Sequence, residues 1–270
     1  MKDATQSQST AIKQDRAIFL CASLDGETER QRSFSKNFSD KSLFRFVNSV
    51  DGRNWSDPEA NIHVSEEMRL LRERERLKGK LWINPAAIAC ALTHRDKLLA
   101  EAEETNVVLC EDDILLHRDF IGLWAEDDVR EKFSKLDSVV LLHYISRSPI
   151  TTSTPPVAEF GRFRIFKLDE VHVLSGASYY APPHVARHIR QFQTPVRCSA
   201  DNWLEMKKHG VFPNIYVVHP TPVQIAGMAS NIGYGSTWKS NATWVVLIRR
   251  LKRLIQRNRQ KFYETLIVRR

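Results

Sequence analysis

Short apolar runs recur along this chain, and the segments between them place apolar residues three and four positions apart. Four runs have the length and composition of buried strands: residues 16–24, 43–50, 107–110 and 136–145. Residues 84–105 predict a helix, with Asn84 as its cap, Pro85 at its first position and apolar side chains at the spacing of one helical face. Strands that alternate with helices predict an α/β domain with a mixed, mostly parallel sheet and helices on both faces.

The remaining segments extend this alternation. Further helices are predicted at residues 27–38, 65–78, 117–134, 183–192 and 199–210. Further strands are predicted at residues 163–168, 171–181 and 214–220. The helix at 65–78 is dense in charge, and we expect it to be solvated, with Leu70, Leu71 and Leu77 on one side. Residues 151–156, TTSTPP, are typical of a surface loop.

The N-terminal residues, the apolar runs and the cysteines indicate in which compartment the protein works. Residues 1–15 are polar and lack the apolar core of a secretory signal, so a flexible tail is predicted there. No run of about 18 apolar residues indicates a membrane-spanning helix. The four cysteines lie far apart without a CxxC pair, which favours reduced thiols in the cytosol and argues against a zinc cluster.

The net charge of +8 comes from the C-terminal segment. Residues 241–270 hold nine of the 40 Lys and Arg but one of the 32 Asp and Glu, which leaves 31 of each sign elsewhere. Residues 242–261 place Trp244 and several aliphatic side chains on one helical face and basic side chains on much of the remainder. We therefore predict a basic amphipathic tail at 239–270 that binds an anionic membrane surface. The alternative is a helix that packs on the domain with its basic side solvated.

Three consecutive carboxylates, Glu111-Asp112-Asp113, follow the predicted strand at 107–110. Ligands of open α/β sheets gather at the carboxyl ends of strands. Adjacent carboxylates repel one another unless a divalent cation or a cationic partner offsets their charge, and oxygen ligands suit Mg²⁺ or Mn²⁺. The alternative is an acidic helix N-terminus, where the helix dipole stabilises negative charge.

Five motifs in order resemble glycosyltransferase family 25, which contains lipooligosaccharide galactosyltransferases and their collagen-modifying relatives. The matching segments are residues 19–32 (FLCASLDGETERQR), 46–54 (FVNSVDGRN), 86–120 with the Cys90 to His94 spacing and Glu111-Asp112-Asp113, 176–189 (GASYYAPPHVARHI) and 196–204 (VRCSADNWL). The resemblance spans about residues 17–232. Four positions depart from the family pattern: Ala86-Ala87 replaces Gly-Glu, Thr93 replaces Ser, and Ser23 replaces Asn.

The resemblance implies a GT-A-like catalytic domain at residues 16–238 that binds a nucleotide-sugar donor and inverts the anomeric carbon. It implies a divalent-cation site, Mn²⁺ or Mg²⁺, formed by Asp112, Asp113 and His219. The donor-binding candidates are Ser23, Leu24, Arg30, Asp51, His94, Glu111 and Asp112. Asp201 is the candidate catalytic base, with Asp113 as the alternative.

Several of these residues have structural alternatives. Asp201 is also in a position to cap a helix, and Arg30 either meets a phosphate or caps its own helix. His94 lies on the apolar side of its helix, where a buried, hydrogen-bonded core histidine is the competing interpretation. Tyr179 and Trp203 either stack on a sugar or base, or belong to the core.

The function predicted from these features is an inverting hexosyl transfer, from UDP-galactose to a lipopolysaccharide or other lipid-linked glycan, at the inner face of the cytoplasmic membrane. A metal-dependent phosphohydrolase is the alternative enzyme, because it also uses carboxylates at a strand end. A nucleic-acid-binding protein that uses the basic tail is the non-enzymatic alternative; the neutral body and the lack of a reading motif argue against it.

Overall fold

The computed structural model describes residues 17–77, 83–146, 150–169 and 173–228. The N-terminal tail predicted at residues 1–15 and the amphipathic tail predicted at residues 239–270 lie outside these residues. Within them, no helix is both long enough and apolar enough to cross a bilayer.

The described residues form an α/β domain. Its strands are β1 (Phe19–Ser23), β2 (Phe44–Asn48), β3 (Val108–Glu111), β4 (Ile114–Leu116), β5 (Val139–Leu141), β6 (Ile145–Ser146), β7 (Ala158–Phe160), β8 (Phe163–Lys167), β9 (Val173–Leu174), β10 (Ser178–Tyr180), β11 (Ile215–His219) and β12 (Val223–Ile225). Its α-helices are α1 (Thr28–Ser35), α2 (Asp57–Asn61), α3 (Glu66–Leu77), α4 (Pro85–Thr93), α5 (Leu99–Ala102), α6 (Arg118–Trp124), α7 (Asp127–Ser134), α8 (Pro183–Phe192) and α9 (Trp203–Lys208). A π-helical turn, His94–Leu98, joins α4 to α5, and a 3₁₀ turn, Lys41–Leu43, precedes β2.

The large sheet is mixed, as the alternating pattern predicted. Its strand order is β2-β1-β3-β10-β5-β11-β8-β7. Strands β2, β1 and β3 are mutually parallel, β10 runs antiparallel to both of its neighbours, and β11 is parallel to β5. The carboxyl ends of β2, β1 and β3 therefore meet at one edge of the sheet. Two small sheets, β12-β4 and β6-β9, flank it.

Helices cover both faces of the sheet, which confirms the arrangement predicted from the sequence. Alternate residues of β1 belong to different core clusters: Leu20 packs with side chains of α4 and α8, whereas Phe19 packs with side chains of α1, α6 and α7. The same alternation holds in β3, where Leu109 and Val108 lie on opposite faces. Strands buried on both sides read as continuous apolar runs, and this explains the pattern that predicted them.

Four predicted elements differ from the structure. The segment 117–134 forms two helices, α6 and α7, and the segment 136–145 ends as a strand at Leu141 before the separate β6. The helix at 84–105 contains the π-helical turn. In α3, Leu70 and Leu77 are exposed, while Met68 and Arg72 face the core. Arg72 is accepted there because its guanidinium pairs with Asp57 at 2.7 Å.

Candidate functional site

A cleft opens where β2, β1 and β3 end and the N-terminal half of α4 passes over them. It encloses about 590 Å³ of empty space, which includes open solvent at its mouth. Its lining comprises Ala22, Ser23, Leu24, Ser49, Val50, Asp51, Gly52, Arg53, Ala86, Cys90, Thr93, His94, Glu111 and Asp112. Six of the predicted donor-binding residues, Ser23, Leu24, Asp51, His94, Glu111 and Asp112, therefore share one cleft.

The acidic triplet forms the turn between two strands. Glu111 is the last residue of β3, its amide donates to the Ala177 carbonyl at 2.8 Å, and Asp112-Asp113 turn the chain into β4. The Asp113 carbonyl accepts from the Ala226 amide at 2.7 Å. The alternative interpretation as a helix N-terminus is wrong, because α6 begins only at Arg118.

Glu111 and the pair Asp112-Asp113 meet partners on opposite faces of the sheet. Arg30 of α1 donates through Nε to Asp112 Oδ1 at 2.6 Å, and its terminal nitrogen lies 3.3 Å from Asp113 Oδ2. Ser23 Oγ donates to Asp112 Oδ2 at 2.7 Å. The cation that offsets two of the three carboxylates is thus a buried arginine of the same chain. Arg30 is the third residue of α1 and points at the carboxylates, so the interpretation of Arg30 as a helix cap is wrong.

These contacts determine which carboxylate oxygens remain available to a hard cation. Both Asp112 oxygens are engaged, by Arg30 and Ser23. Asp113 Oδ1 is buried without a hydrogen-bond partner and is the carboxylate oxygen of this pair that is free for a cation. Burial and the charge of Glu111 raise the pKa of Asp113 against the opposing effect of Arg30. Asp112 is thus committed to Arg30 and Ser23, and of these two carboxylates Asp113 retains an oxygen without a hydrogen-bond partner among the described residues.

His219 is the third residue of the predicted metal site. It ends β11 opposite Arg164 of β8, and burial together with the Arg164 charge lowers its pKa. Among the described residues, the group of three potential metal ligands whose ligand atoms all lie within 4.8 Å of one another is Cys90, His94 and Glu111. The predicted set of Asp112, Asp113 and His219 is not assembled in this way.

His94 and Glu111 form the second half of the site, on the α4 face of the sheet. His94 is 3% exposed, and its Nε2 lies 3.4 Å from Glu111 Oε1. Its Nδ1 lies 3.0 Å from the Tyr179 hydroxyl. Burial alone would raise the pKa of Glu111, but the interaction with His94 and the charges of His94 and Arg30 hold it below its ordinary value. His94 is thus a buried histidine that also lines the cleft, so the two interpretations of this residue are compatible.

Asp201 approaches the same group from the segment before α9. The cap of α9 is Asn202, whose side chain accepts from the Glu205 amide at 3.3 Å, so the alternative role of Asp201 as a helix cap is wrong. Burial raises the pKa of Asp201; a hydrogen bond from Ser199 opposes this shift, and the charge of Glu111 adds to it. The half-buried Asp201 therefore lies within electrostatic range of Glu111.

Tyr179 and Trp203 belong to the core. Each is 1% exposed, and their rings pack edge to face with centroids 4.9 Å apart. Trp203 Nε1 donates to the Ser175 carbonyl at 3.1 Å. Neither ring face is open to a sugar or a base, so the core interpretation of both residues is confirmed.

The loop after β2 is fastened to α4. Thr93 Oγ1 accepts from the Val50 amide at 2.9 Å, and the same hydroxyl donates to the Ala89 carbonyl. Threonine therefore supplies the hydroxyl at the position where the family pattern has serine. Asp51, next along the loop, is exposed and pairs with Arg53 at 2.7 Å.

Gly52 provides a test of this packing. A Cβ at Gly52 would lie 2.6 Å from both the Ala89 Cβ and the Pro85 carbonyl oxygen, so the backbone of the loop or of α4 must shift. We expect Gly52→Ala to lower the free energy of unfolding by about 1–3 kcal/mol, measured by urea denaturation. Gly122→Ala in α6 is the control: its Cβ meets nothing within 4 Å, and helix propensity predicts a gain of up to about 1 kcal/mol. Equal effects of the two variants would contradict the close approach of the loop to α4.

Sequence reasoning missed two neighbours of the site. Ser175 has φ of 129°, a backbone conformation rare for a residue with a side chain, and its hydroxyl lies 2.7 Å from His143 Nδ1. Burial lowers the pKa of His143 to about 4, with an opposing contribution from Glu111. The adjacent Gly176 lies against His94 and Glu111: a Cβ there would be 3.2 Å from His94 Cε1. No pattern in the sequence joins His143 to this group.

A scan against protein-family models found no match for this chain, and a search of curated proteins found none either. The geometry and chemistry of the site are therefore the basis for its function.

Proposed function

We propose that this protein is an inverting glycosyltransferase that moves a hexose from a nucleotide-sugar donor to a glycan acceptor. The observation that carries the proposal is that Glu111 and Asp112 of the acidic triplet, the loop at Asp51 and the end of β1 line one cleft at the carboxyl ends of three parallel strands. Nucleotides bind α/β sheets at this edge. The strand arrangement is compatible with the GT-A-like fold implied by the family resemblance.

The acidic cleft suits a diphosphate only when a bound cation neutralises the negative charge of the diphosphate. Asp112 and Asp113 face Arg30, Glu111 faces His94, and Asp113 Oδ1 has no hydrogen-bond partner among the described residues. When bound, Mn²⁺ or Mg²⁺ would neutralise the charge that develops on the leaving nucleoside diphosphate. Asp113 is the residue that would hold it. Ser23 and Arg30 orient Asp112, which keeps the turn in place beneath the donor.

Inverting transfer also requires a base for the acceptor hydroxyl, which attacks as the glycosidic bond to the diphosphate breaks. Asp201 fits this role because it is half-buried, is released from helix capping by Asn202, and has a raised pKa. A raised pKa moves a carboxylate toward the working range of a general base. Glu111 and His94 lie within electrostatic range of Asp201 and would position the sugar's hydroxyl groups.

The acceptor and its location rest on the C-terminal sequence. The basic and apolar faces of residues 242–261 suit an anionic membrane surface, where lipid-linked glycans are presented. We propose a lipopolysaccharide or other lipid-linked acceptor at the inner face of the cytoplasmic membrane, and galactose from UDP-galactose as the transferred sugar.

A donor panel tests the reaction class. The purified chain is incubated with UDP-galactose, UDP-glucose and other nucleotide sugars, with and without a lipid-linked glycan, and both nucleotide release and acceptor mass are measured. We expect UDP release that requires a divalent cation and an acceptor that gains the mass of one hexose. Release of inorganic phosphate from a phosphoester, with no change in any acceptor, would instead support the phosphohydrolase. Full transfer in excess chelator would remove the cation from the proposal.

A further inference from the structure

Cys90, His94 and Glu111 bring three different metal-ligand types to one point of the cleft. Cys90 and His94 are four residues apart, so α4 and the π-helical turn that follows place them on the same side. Glu111 reaches them from the end of β3. Cys90 Sγ and His94 Nε2 lie 4.0 Å and 3.4 Å from the same oxygen, Glu111 Oε1.

One atom of this group has no satisfactory partner. His94 Nε2 is buried and forms no aligned hydrogen bond, although Glu111 Oε1 is close. Its other nitrogen, Nδ1, is engaged by the Tyr179 hydroxyl at 3.0 Å. A bond from Nδ1–H to a fixed oxygen is the arrangement that orients a metal-binding histidine and leaves the Nε2 lone pair for the ion. A buried polar atom without a partner destabilises the folded chain, and metal coordination would remove that cost.

The spacing and chemistry of the donors suit a transition metal. Zinc bonds of about 2.3 Å to sulfur and about 2.0–2.1 Å to nitrogen or oxygen separate tetrahedral ligand atoms by roughly 3.3–3.8 Å. The two separations from Glu111 Oε1, 4.0 Å to Cys90 Sγ and 3.4 Å to His94 Nε2, come within about half an ångström of these values, and all three donor atoms lie within 4.8 Å of one another. Thiolate and imidazole select Zn²⁺ or Co²⁺ over Mg²⁺ and Mn²⁺, which prefer oxygen. The absence of a CxxC pair argues against a structural zinc cluster but not against a site with one cysteine.

We infer that Cys90, His94 and Glu111 form a binding site for Zn²⁺ or a similar transition-metal ion, distinct from the oxygen that Asp113 offers to a hard cation. All three residues line the cleft, so the ion keeps a coordination position open to a water or a substrate oxygen. Three protein ligands with one open position are typical of catalytic rather than structural zinc. The site does not depend on the transferase proposal, because it is defined by metal binding alone.

Cobalt spectroscopy tests this site on the full chain. The chain is stripped with a chelator and titrated with Co²⁺, and the ultraviolet and visible spectra are followed. We expect one equivalent to give a thiolate-to-cobalt charge-transfer band and the visible bands of a tetrahedral ion, both abolished by one equivalent of Zn²⁺ and unaffected by excess Mg²⁺. An octahedral spectrum without the charge-transfer band would overturn the inference.

Variants separate the ligands from other metal-binding groups. Cys90→Ser should remove the charge-transfer band, whereas Cys198→Ser, which alters another free cysteine, should leave it. His184 and His188 form an exposed i, i+4 pair on α8, so the variant His184→Ala/His188→Ala controls for weak surface binding. Tyr179→Phe retains all three ligands and should weaken Zn²⁺ binding by about 10- to 100-fold through the lost bond to His94. A band that persists in Cys90→Ser, or one lost in the His184/His188 variant, would overturn the assignment.

Discussion

Replacing Arg30 with methionine is expected to lower the free energy of unfolding by about 3–5 kcal/mol at neutral pH, the usual cost of removing one partner from a buried ion pair. Arg30 is 9% exposed and its guanidinium faces both Asp112 and Asp113. Without it, two carboxylates remain beside Glu111 with Ser23 as a neutral partner. Urea denaturation at several pH values measures the effect.

The pH dependence of this loss identifies its electrostatic origin. Loss of the guanidinium removes the interaction that opposes the raised pKa of Asp113, so the folded-state pKa of Asp113 should rise further above its unfolded value. The folded variant then takes up protons more readily than the unfolded chain, so its deficit against the wild type shrinks as the pH falls through the raised pKa. The matched control is Arg53→Met, whose pair with Asp51 is solvent-exposed and contributes less than about 1 kcal/mol. A small, pH-independent deficit in Arg30→Met would contradict the buried pairing.

The large elements follow from the sequence because their signals are local. Helix α8 spans the ten residues predicted for it, since Pro183 fixes its first turn and its apolar residues follow one face. The strand β4 was missed because Ile114-Leu115-Leu116 leads directly into α6 and reads as the start of a helix. Its partner, β12, lies more than 100 residues later in the chain, and local periodicity does not report such pairing.

The sequence predicted which residues line the site but not which of them contact one another. The motifs selected Ser23, Asp51, His94 and Glu111, and these four residues line one cleft. What the sequence could not supply was the pairing of Arg30 with Asp112 across 82 positions or that of His94 with Tyr179 across 85 positions. Both are contacts between elements that meet only after the sheet is assembled.

The alternation of side chains at the end of β3 explains why three carboxylates occur in a row. Glu111 continues the face of Leu109 toward α4 and meets His94, whereas Asp112 turns to the α1 face and meets Arg30. Glu111 therefore has His94 as its neighbour, Asp112 and Asp113 share Arg30, and the mutual repulsion within the triplet is partly offset on both sides. One triplet thus connects the two faces of the sheet at the mouth of the cleft.

Asp201→Asn is expected to reduce the turnover of sugar transfer by about 10²- to 10⁴-fold, the usual contribution of a general base. The amide retains the shape of the carboxylate but cannot take the acceptor proton. UDP binding, measured by calorimetry, should be unchanged because the proposed diphosphate contacts lie at Asp113. The neighbouring Asn202→Ala is the control: it removes the cap of α9 and costs about 1 kcal/mol of stability, with activity retained.

The pH profile separates Asp201 from Asp113 as the base. Because burial and the charge of Glu111 raise the pKa of Asp201, the acid limb of kcat/KM should lie above that of an ordinary aspartate, with activity lost as the pH falls through it. Glu111→Gln removes one of these causes and should move the limb to lower pH, whatever its effect on the maximum rate. In Asp113→Asn, raising the Mn²⁺ concentration should restore part of the activity, whereas in Asp201→Asn it should restore none. Asp201→Asn with wild-type turnover, or an acid limb that disappears in Asp113→Asn and persists in Asp201→Asn, would transfer the role of base to Asp113.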